Sequence, residues 1–372
     1  MPKMLVMGGS LGGLGAAVAL RHVGCHVDVL ERGAHHEEGR GAGIVVQPDL
    51  LALTRLTGGA PLAMTTCSSR RYLDASGKVT QEMPMAQEFT SWGAIYAALR
   101  QGVPDAHYHA DCEVTGIDSH AAGVRVTTAQ GRDVKADGLV IADGSRSRGR
   151  DWLDVPFQSD YAGYIAWRGV IEEADVDADL ARFFEDRFTF GETKSGGHIL
   201  CYLIPGAGRA VERGQRRLNW VWYQTIPVGP DLSALLTDKD GRAHTSSIAP
   251  GDLSAASRRY LQDRAKNELP APFADLIDAT QDPFIQAITD LAASTMTHGR
   301  ACLLGDAAFV VRPHTAGATA KAAADAMTLA SLLRDTPDDM PQVLADYDRL
   351  RLRAGQQMSG YGVQLGQRSV AT

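Results

Sequence analysis

Three short segments, far apart in the chain and in a fixed order, have the residue types to contact one long phosphate-bearing cofactor: Gly8-Gly9-Ser10-Leu11-Gly12-Gly13, Asp143-Gly144 and Gly305-Asp306. The first follows the apolar run 4–7 and opens an alanine-rich helix, so backbone N–H groups and the positive end of the helix dipole would face a pyrophosphate. Glu31 closes a second apolar strand, 26–31, about 20 residues after the turn, where a carboxylate can accept hydrogen bonds from ribose hydroxyls. In the pattern G-x-G-x-x-G the key positions read Gly8, Ser10 and Gly13. The middle glycine is thus a serine, which adds only a small side chain whose hydroxyl can itself donate to phosphate. Asp143-Gly144 and Gly305-Asp306 each end a short apolar run, 139–142 and 301–304, at the place where open α/β sheets bind ligands.

A second set of residues suits a flat organic ligand. The stretches 161–171, 198–204 and 218–226 are alternating and aromatic, a pattern for strands of a separate sheet. In the last, Leu218, Trp220 and Trp222 share one face, and Asn219, Val221 and Tyr223 share the other. His198, Leu200, Tyr202 and Ile204 also point one way. His198 and Tyr202 could orient a ring and move a proton; the other reading is a half-buried histidine and a core tyrosine on an ordinary strand. His314, in the loop Arg312-Pro313-His314, could reach the ligand from the cofactor side or serve as a structural hydrogen-bonding group. Gln47 and Tyr223 are further candidates for ring contact, although Trp220, Trp222 and Tyr223 also have the character of core residues.

The elements that must position these groups follow from the hydrophobic pattern. A β-α-β unit runs to about residue 46, and helical, turn-rich sequence continues to about residue 64. Residues 69–73 and 78–83 flank Asp74-Ala75-Ser76-Gly77 as a hairpin. A helix is expected over 91–100 and short strands over 111–141. The alanine density of 316–333 favours a closely packed helix whose first N–H groups are free to face a ligand. Leu344, Tyr347, Leu350 and Met358 mark a final amphipathic helix.

With 372 residues the chain can bury a large core and should form about two domains. A net charge of −7 leaves no basic footprint for nucleic acid. The basic clusters 148–150 and 349–353 read as solvated helix faces. With no apolar run of about 18 residues and no charged leader, the expectation is a soluble, cytoplasmic protein with no membrane partner. Cysteines 25, 67, 112, 201 and 302 are scattered, which argues for buried free thiols over metal or disulfide chemistry. His35-His36-Glu37-Glu38 lacks a second ligand cluster and reads as an exposed loop.

Taken together, the glycine turn with Glu31-Arg32, Gly41-Ala42-Gly43-Ile44, Asp143-Gly144 with Ser147 and Arg150, Trp167-Arg168-Gly169, and Gly305-Asp306-Ala307-Ala308 with Pro313 and Asp325 resemble the p-hydroxybenzoate-hydroxylase-like, single-component FAD-dependent aromatic hydroxylases. The resemblance covers almost the whole chain. The Gly-Ser turn, the run 43–48 (Gly-Ile-Val-Val-Gln-Pro) and Arg312-Pro313-His314 are most similar to the dihydroxypyridine hydroxylases of that family. Departures are Thr315 and Ala318 where members usually have glycine, Gly93 where many carry an arginine, and Phe309 in place of a common histidine. Dihydroxypyridine hydroxylases also lack that arginine.

The resemblance implies an α/β fold with a Rossmann-like, three-layer FAD-binding domain (1–68, 91–157 and 282–340), an interleaved mixed-sheet substrate domain (69–90 and 158–281) and a C-terminal helical segment, 341–372. It implies bound FAD at Gly8, Gly9, Ser10, Leu11, Gly13, Glu31, Arg32, Gly43, Ile44, Val114, Asp143, Gly144, Gly305, Asp306, Ala316, Gly317 and Ala318, with no metal. It also implies NAD(P)H as a transient electron donor, O2 as co-substrate, and a flavin C4a-hydroperoxide that hydroxylates an electron-rich ring. His198 and Tyr202 resemble a His-x-x-x-Tyr pair of one family member, and with His314 they are the candidate catalytic residues. The expected substrate is a hydroxylated pyridine or similar N-heteroaromatic. The alternatives are the same chemistry on a phenol or hydroxybenzoate, including oxidative decarboxylation, or a non-catalytic flavin-binding protein. A homodimer is compatible with either.

Overall fold

The structure is a computed structural model that describes residues 1–34 and 42–370, with side chains to residue 367. His35-His36-Glu37-Glu38 and Gly41 lie outside the described residues. A six-stranded sheet runs in the order Thr297–His298, Ala301–Leu303, Gly138–Ile141, Lys3–Met7, His26–Leu30, Tyr108–His109. All its pairs are parallel except the first. Leu5, Val6, Leu139, Val140 and Ala301 are fully buried, so these strands read as continuous apolar runs with no alternation. In register, Met7 pairs with Ile141 and Ile141 with Leu303, so the chain leaves three neighbouring strands at one level.

Helices Leu11–His22 and Ala318–Asp335 pack together against this sheet. Glycine is required where the first helix meets its own turn: a Cβ on Gly13 would stand 1.8 Å from the Gly8 carbonyl oxygen. A three-stranded sheet, Val114–His120, Gly123–Thr128 and Asp133–Ala136, adjoins this unit.

The second, ten-stranded sheet follows the path Ser247–Ile248, Phe284–Ala293, Phe157–Glu172, Arg217–Thr225, His198–Ile204, Arg187–Glu192, Thr65–Leu73, Val79–Ser91, Gly43–Val45, with Phe309–Val310 paired to Phe284–Ala293. The expected hairpin is present, with Leu73 opposite Val79. One face buries Trp167, Trp220 and Trp222 with Phe184, Phe273 and Leu276, where helices Ala255–Glu268 and Ala271–Ala279 cover it. The other face carries Tyr164, Val221, Tyr223 and Tyr202.

Three expectations need correction. The helix expected at 316 begins at Ala318: Ala316 adopts a left-handed conformation with φ 49°, and Gly317 is the cap. Arg150 is no solvated residue; it is 2% exposed, donates to the carbonyls of Ala307 (2.9 Å) and Ser145 (3.2 Å), and lies 3.9 Å from the Phe157 ring centroid. Arg351, in the other basic cluster, pairs with buried Asp325 at 2.6 Å. The pattern rule failed for both because a guanidinium can satisfy buried carbonyls and carboxylates that sequence does not reveal. Four cysteines are buried and free, and Cys112 is half-buried.

Gly13→Ala should cost about 1–3 kcal/mol through overpacking of the turn against the helix. Urea unfolding with an unchanged midpoint would contradict this account of the turn.

Candidate active site

A cavity of about 450 Å³ opens where the three neighbouring strands end. Its walls include Gly8, Ser10, Leu11, Glu31, Arg32, Val114, Asp143, Gly144, Gly305, Asp306 and Ala318. Gly8 has φ 102°, and a Cβ there would meet the Ala142 carbonyl oxygen at 2.5 Å, so the turn admits no side chain. Ser10 caps helix Leu11–His22 in an extended conformation without a side-chain capping bond. Glu31, 8% exposed, accepts the Gly9 N–H at 2.6 Å and the Gly33 N–H at 2.7 Å, locking the turn to the end of the second strand.

Asp143 Oδ2 accepts the Gly149 N–H at 3.1 Å, whereas its buried Oδ1 meets no donor among the described residues. A buried acceptor without a partner is costly and is expected to receive a ligand donor. That orphaned oxygen, the side-chain-free turn at Gly8 and the helix N-terminus fit the hydroxyls and pyrophosphate of FAD.

Gly9 and Gly13 are packing glycines behind the cavity. Gly43 and Ile44 belong to the edge strand Gly43–Val45, with the Gly43 N–H donating to Asn219 Oδ1 at 2.8 Å. Ala316 and Gly317 form the turn before the helix whose first residues, Ala318 and Thr319, line the cavity. Sequence reasoning missed Trp92, Cys112, Leu304, Arg146, Arg148 and Thr319 in the cavity wall. Leu304 and Thr319 adjoin recognised segments, but Trp92 and Cys112 come from elements with no local signal.

A second cluster of candidate residues lies on the sheet face opposite the tryptophans. The His314 ring stands 4.3 Å from that of Tyr223 and 6.0 Å from that of His198, and the His198 and Tyr223 rings are 5.3 Å apart. Tyr164, absent from the sequence-based candidates, places its hydroxyl 3.0 Å from His314 Nε2. Its position on the same face of Phe157–Glu172 as Ala166, which is opposite Tyr223, was the available signal. Tyr202 shares the face of His198 but stacks on Phe89 at 4.3 Å and meets Phe188 edge-on at 5.1 Å, in a separate aromatic cluster. Gln47 is half-buried at the head of helix Pro48–Arg55.

This cluster favours neutral groups. Burial, with smaller contributions from His198 and Arg312, pushes the His314 pKa down to about 3. Burial pushes the Tyr223 hydroxyl up to about 12, and it also raises Tyr164. Arg312 is paired with Asp290 through Nε (3.0 Å) and Nη2 (2.7 Å). The final helix, Met340–Val370, passes close by: a Cβ on Gly362 would meet Thr315 Cγ2 at 3.2 Å, and one on Gly366 would meet Arg312 Nη1 at 2.7 Å and the Tyr164 hydroxyl at 3.0 Å.

A family model described as FAD binding domain-like matches residues 161–290. The chain is 36% identical over 339 residues to 2,6-dihydroxypyridine 3-monooxygenase of Paenarthrobacter nicotinovorans, covering 90% of this chain and 84% of that one. The solved structure of 2,6-dihydroxypyridine-3-hydroxylase from Arthrobacter nicotinovorans superposes with a TM-score of 0.91 at 33% identity, over 99% of this chain and 92% of that chain. Klebsiella pneumoniae HpxO, solved with FAD and uric acid, shares the fold with a TM-score of 0.80 at 24% identity, over 100% of this chain and 89% of its own. With the cavity and fold already described, these similarities establish that the chain belongs to the FAD-dependent aromatic-ring monooxygenases.

Proposed function

We propose that this protein hydroxylates a hydroxylated pyridine or similar N-heteroaromatic, with NAD(P)H as electron donor and O2 as co-substrate. The observation that carries the reading is the uncharged His314, bonded to Tyr164 and flanked by Tyr223 and His198, in the loop that leads into the helix lining the FAD cavity. FAD, when bound, supplies the redox and oxygen-activating chemistry.

The chain's own task is to present the ring in a dry setting. Tyr164 and Tyr223 keep their protons at neutral pH, so Tyr223 donates to a ring oxygen or the ring nitrogen and neither brings a negative charge that would repel an electron-rich ring. With the Tyr164 hydroxyl donating to His314 Nε2, the neutral imidazole carries its proton on Nδ1 and can donate it to a ring oxygen. A hydroxypyridine that ionises on entry thereby gains donors from two side chains, Tyr223 and His314, which favours the nucleophilic anion. His198, half-buried on the same wall, is the group towards which we route the departing proton. The hydroxypyridine and purine rings named for the similar proteins support this choice of substrate class.

The direct test is FAD-reconstituted protein assayed for substrate-stimulated NADH and NADPH oxidation across hydroxypyridines, phenols and hydroxybenzoates, with product identification. Turnover at least tenfold higher on hydroxypyridines is expected, and preference for phenols or no substrate-dependent oxygen uptake would overturn the reading. His314→Gln should lower kcat/KM for the best substrate by roughly 10²–10⁴ with bound FAD retained, the range of a lost proton-handling group; unchanged kcat/KM would remove His314 from the mechanism.

The depressed His314 pKa also predicts a pH effect. Between about 6.5 and about 3 the unfolded chain binds a proton that the folded chain refuses, so stability is full above about 6.5 and falls as pH drops through this window. His314→Gln should flatten that acid limb, and ¹⁵N NMR should find the native ring uncharged at pH 5. A ring that titrates near 6 would refute the buried, neutral assignment.

A further inference from the structure

Helix Ala318–Asp335 carries a lysine on its buried side, within its first turn. Lys321 is 1% exposed, and its ammonium donates to the Gly305 carbonyl at 2.9 Å and to Asp325 Oδ2 at 2.8 Å. Asp325, 0% exposed, also accepts the Gly305 N–H on Oδ2 at 3.1 Å and Arg351 Nε on Oδ1 at 2.6 Å. Both backbone polar groups of Gly305 are thus committed to this cluster, while Gly305 itself, at φ 63°, lines the FAD cavity beside Asp306. Two cations share the Asp325 carboxylate directly behind the cofactor loop, where burial and Asp325 push the pKa of the Asp306 carboxyl up and Lys321 draws it down. Burying ions is expensive even when they are paired, so two buried cations at one loop call for a reason. The positive end of the same helix adds to the field with the same sign.

We infer that Lys321 is a positioning residue for FAD: it holds Gly305-Asp306 in the binding conformation and, together with Arg351, supplies a positive charge that favours the reduced, anionic flavin over the oxidised form. A neutral residue at 321 would remove one positive charge and leave the Gly305 carbonyl held by the Ala308 N–H alone. Removing Arg351 instead would take away the other positive charge without altering the contact to Gly305. The two substitutions therefore separate loop geometry from charge. The inference rests on FAD in the described cavity and does not depend on which ring is hydroxylated.

Lys321→Met and Arg351→Gln are prepared as apoproteins, checked for cooperative thermal unfolding, titrated with FAD, and assayed for the reduction potential of bound FAD without substrate. Lys321→Met should weaken FAD binding at least tenfold. Both variants should bind reduced flavin less favourably relative to oxidised flavin, each tenfold loss of preference moving the two-electron potential about 30 mV more negative. A lysine with only a structural role would change unfolding and affinity and leave the potential native. If Lys321→Met does not fold, Arg351→Gln decides, because its side chain lies at the outer edge of the cluster. A native potential in the folded, FAD-loaded variants overturns the inference and leaves the hydroxypyridine reading standing, whereas failure of the unaltered chain to take up FAD would overturn both.

Discussion

The parallel register of three short strands is the constraint on which the functional architecture depends. Met7, Ile141 and Leu303 lie side by side in the buried centre of the sheet, so the residues that follow them emerge together although they are separated by well over a hundred positions in sequence. A one-residue slip in any of the three would turn its exit segment to the other face of the sheet. The side-chain-free turn at Gly8, the orphaned Asp143 oxygen and the Gly305 backbone can converge on one cofactor only in this register. Glu31 and Arg150 then fasten the exits: one binds the glycine turn to the second strand, and the other clamps the segments after Asp143 and Asp306 to each other.

The large sheet solves a different problem. Its tryptophan face is covered by helices, which leaves the opposite face free to carry tyrosines that, with the adjoining His314, have charged forms disfavoured by burial. A cluster of neutral donors commits no fixed charge to whatever lies against it. The most deeply buried charges among the described residues, at Arg150, Lys321 and Asp325, are on the cofactor side and bond to carbonyls or to one another.

How much of this was legible in the sequence depended on whether a feature is local. The glycine turn, Glu31, the strand 198–204 and the hairpin at Asp74–Gly77 announce themselves through spacing and alternation, and the structure has them in place. Ala316 escaped because a left-handed alanine breaks the usual preference for glycine, so the helix pattern appeared to extend two residues further than it does. Arg150 and Arg351 escaped because a run of basic residues looks the same whether one member is solvated or locked inside. His198 and Tyr202 share a face as alternation requires, yet face alone does not specify neighbours: Phe89 and Phe188, from other strands, draw Tyr202 into a cluster apart from His314. Tyr164 illustrates the converse, a residue whose partner lies 150 positions away and is reached only through the register of the sheet.

The closing helix, Met340–Val370, joins these two halves. Tyr347 anchors it to the Leu303 carbonyl at 2.9 Å, Arg351 to Asp325, and its glycines 362 and 366 lie against Thr315, Arg312 and Tyr164. A rod of 31 residues is about 46 Å long and resists bending, so it acts as a caliper between the loop at Gly305 and the cluster of Tyr164, Tyr223 and His314. The separation of the two is therefore gauged by an element that contributes no chemistry of its own, and drift in either must be shared by the other.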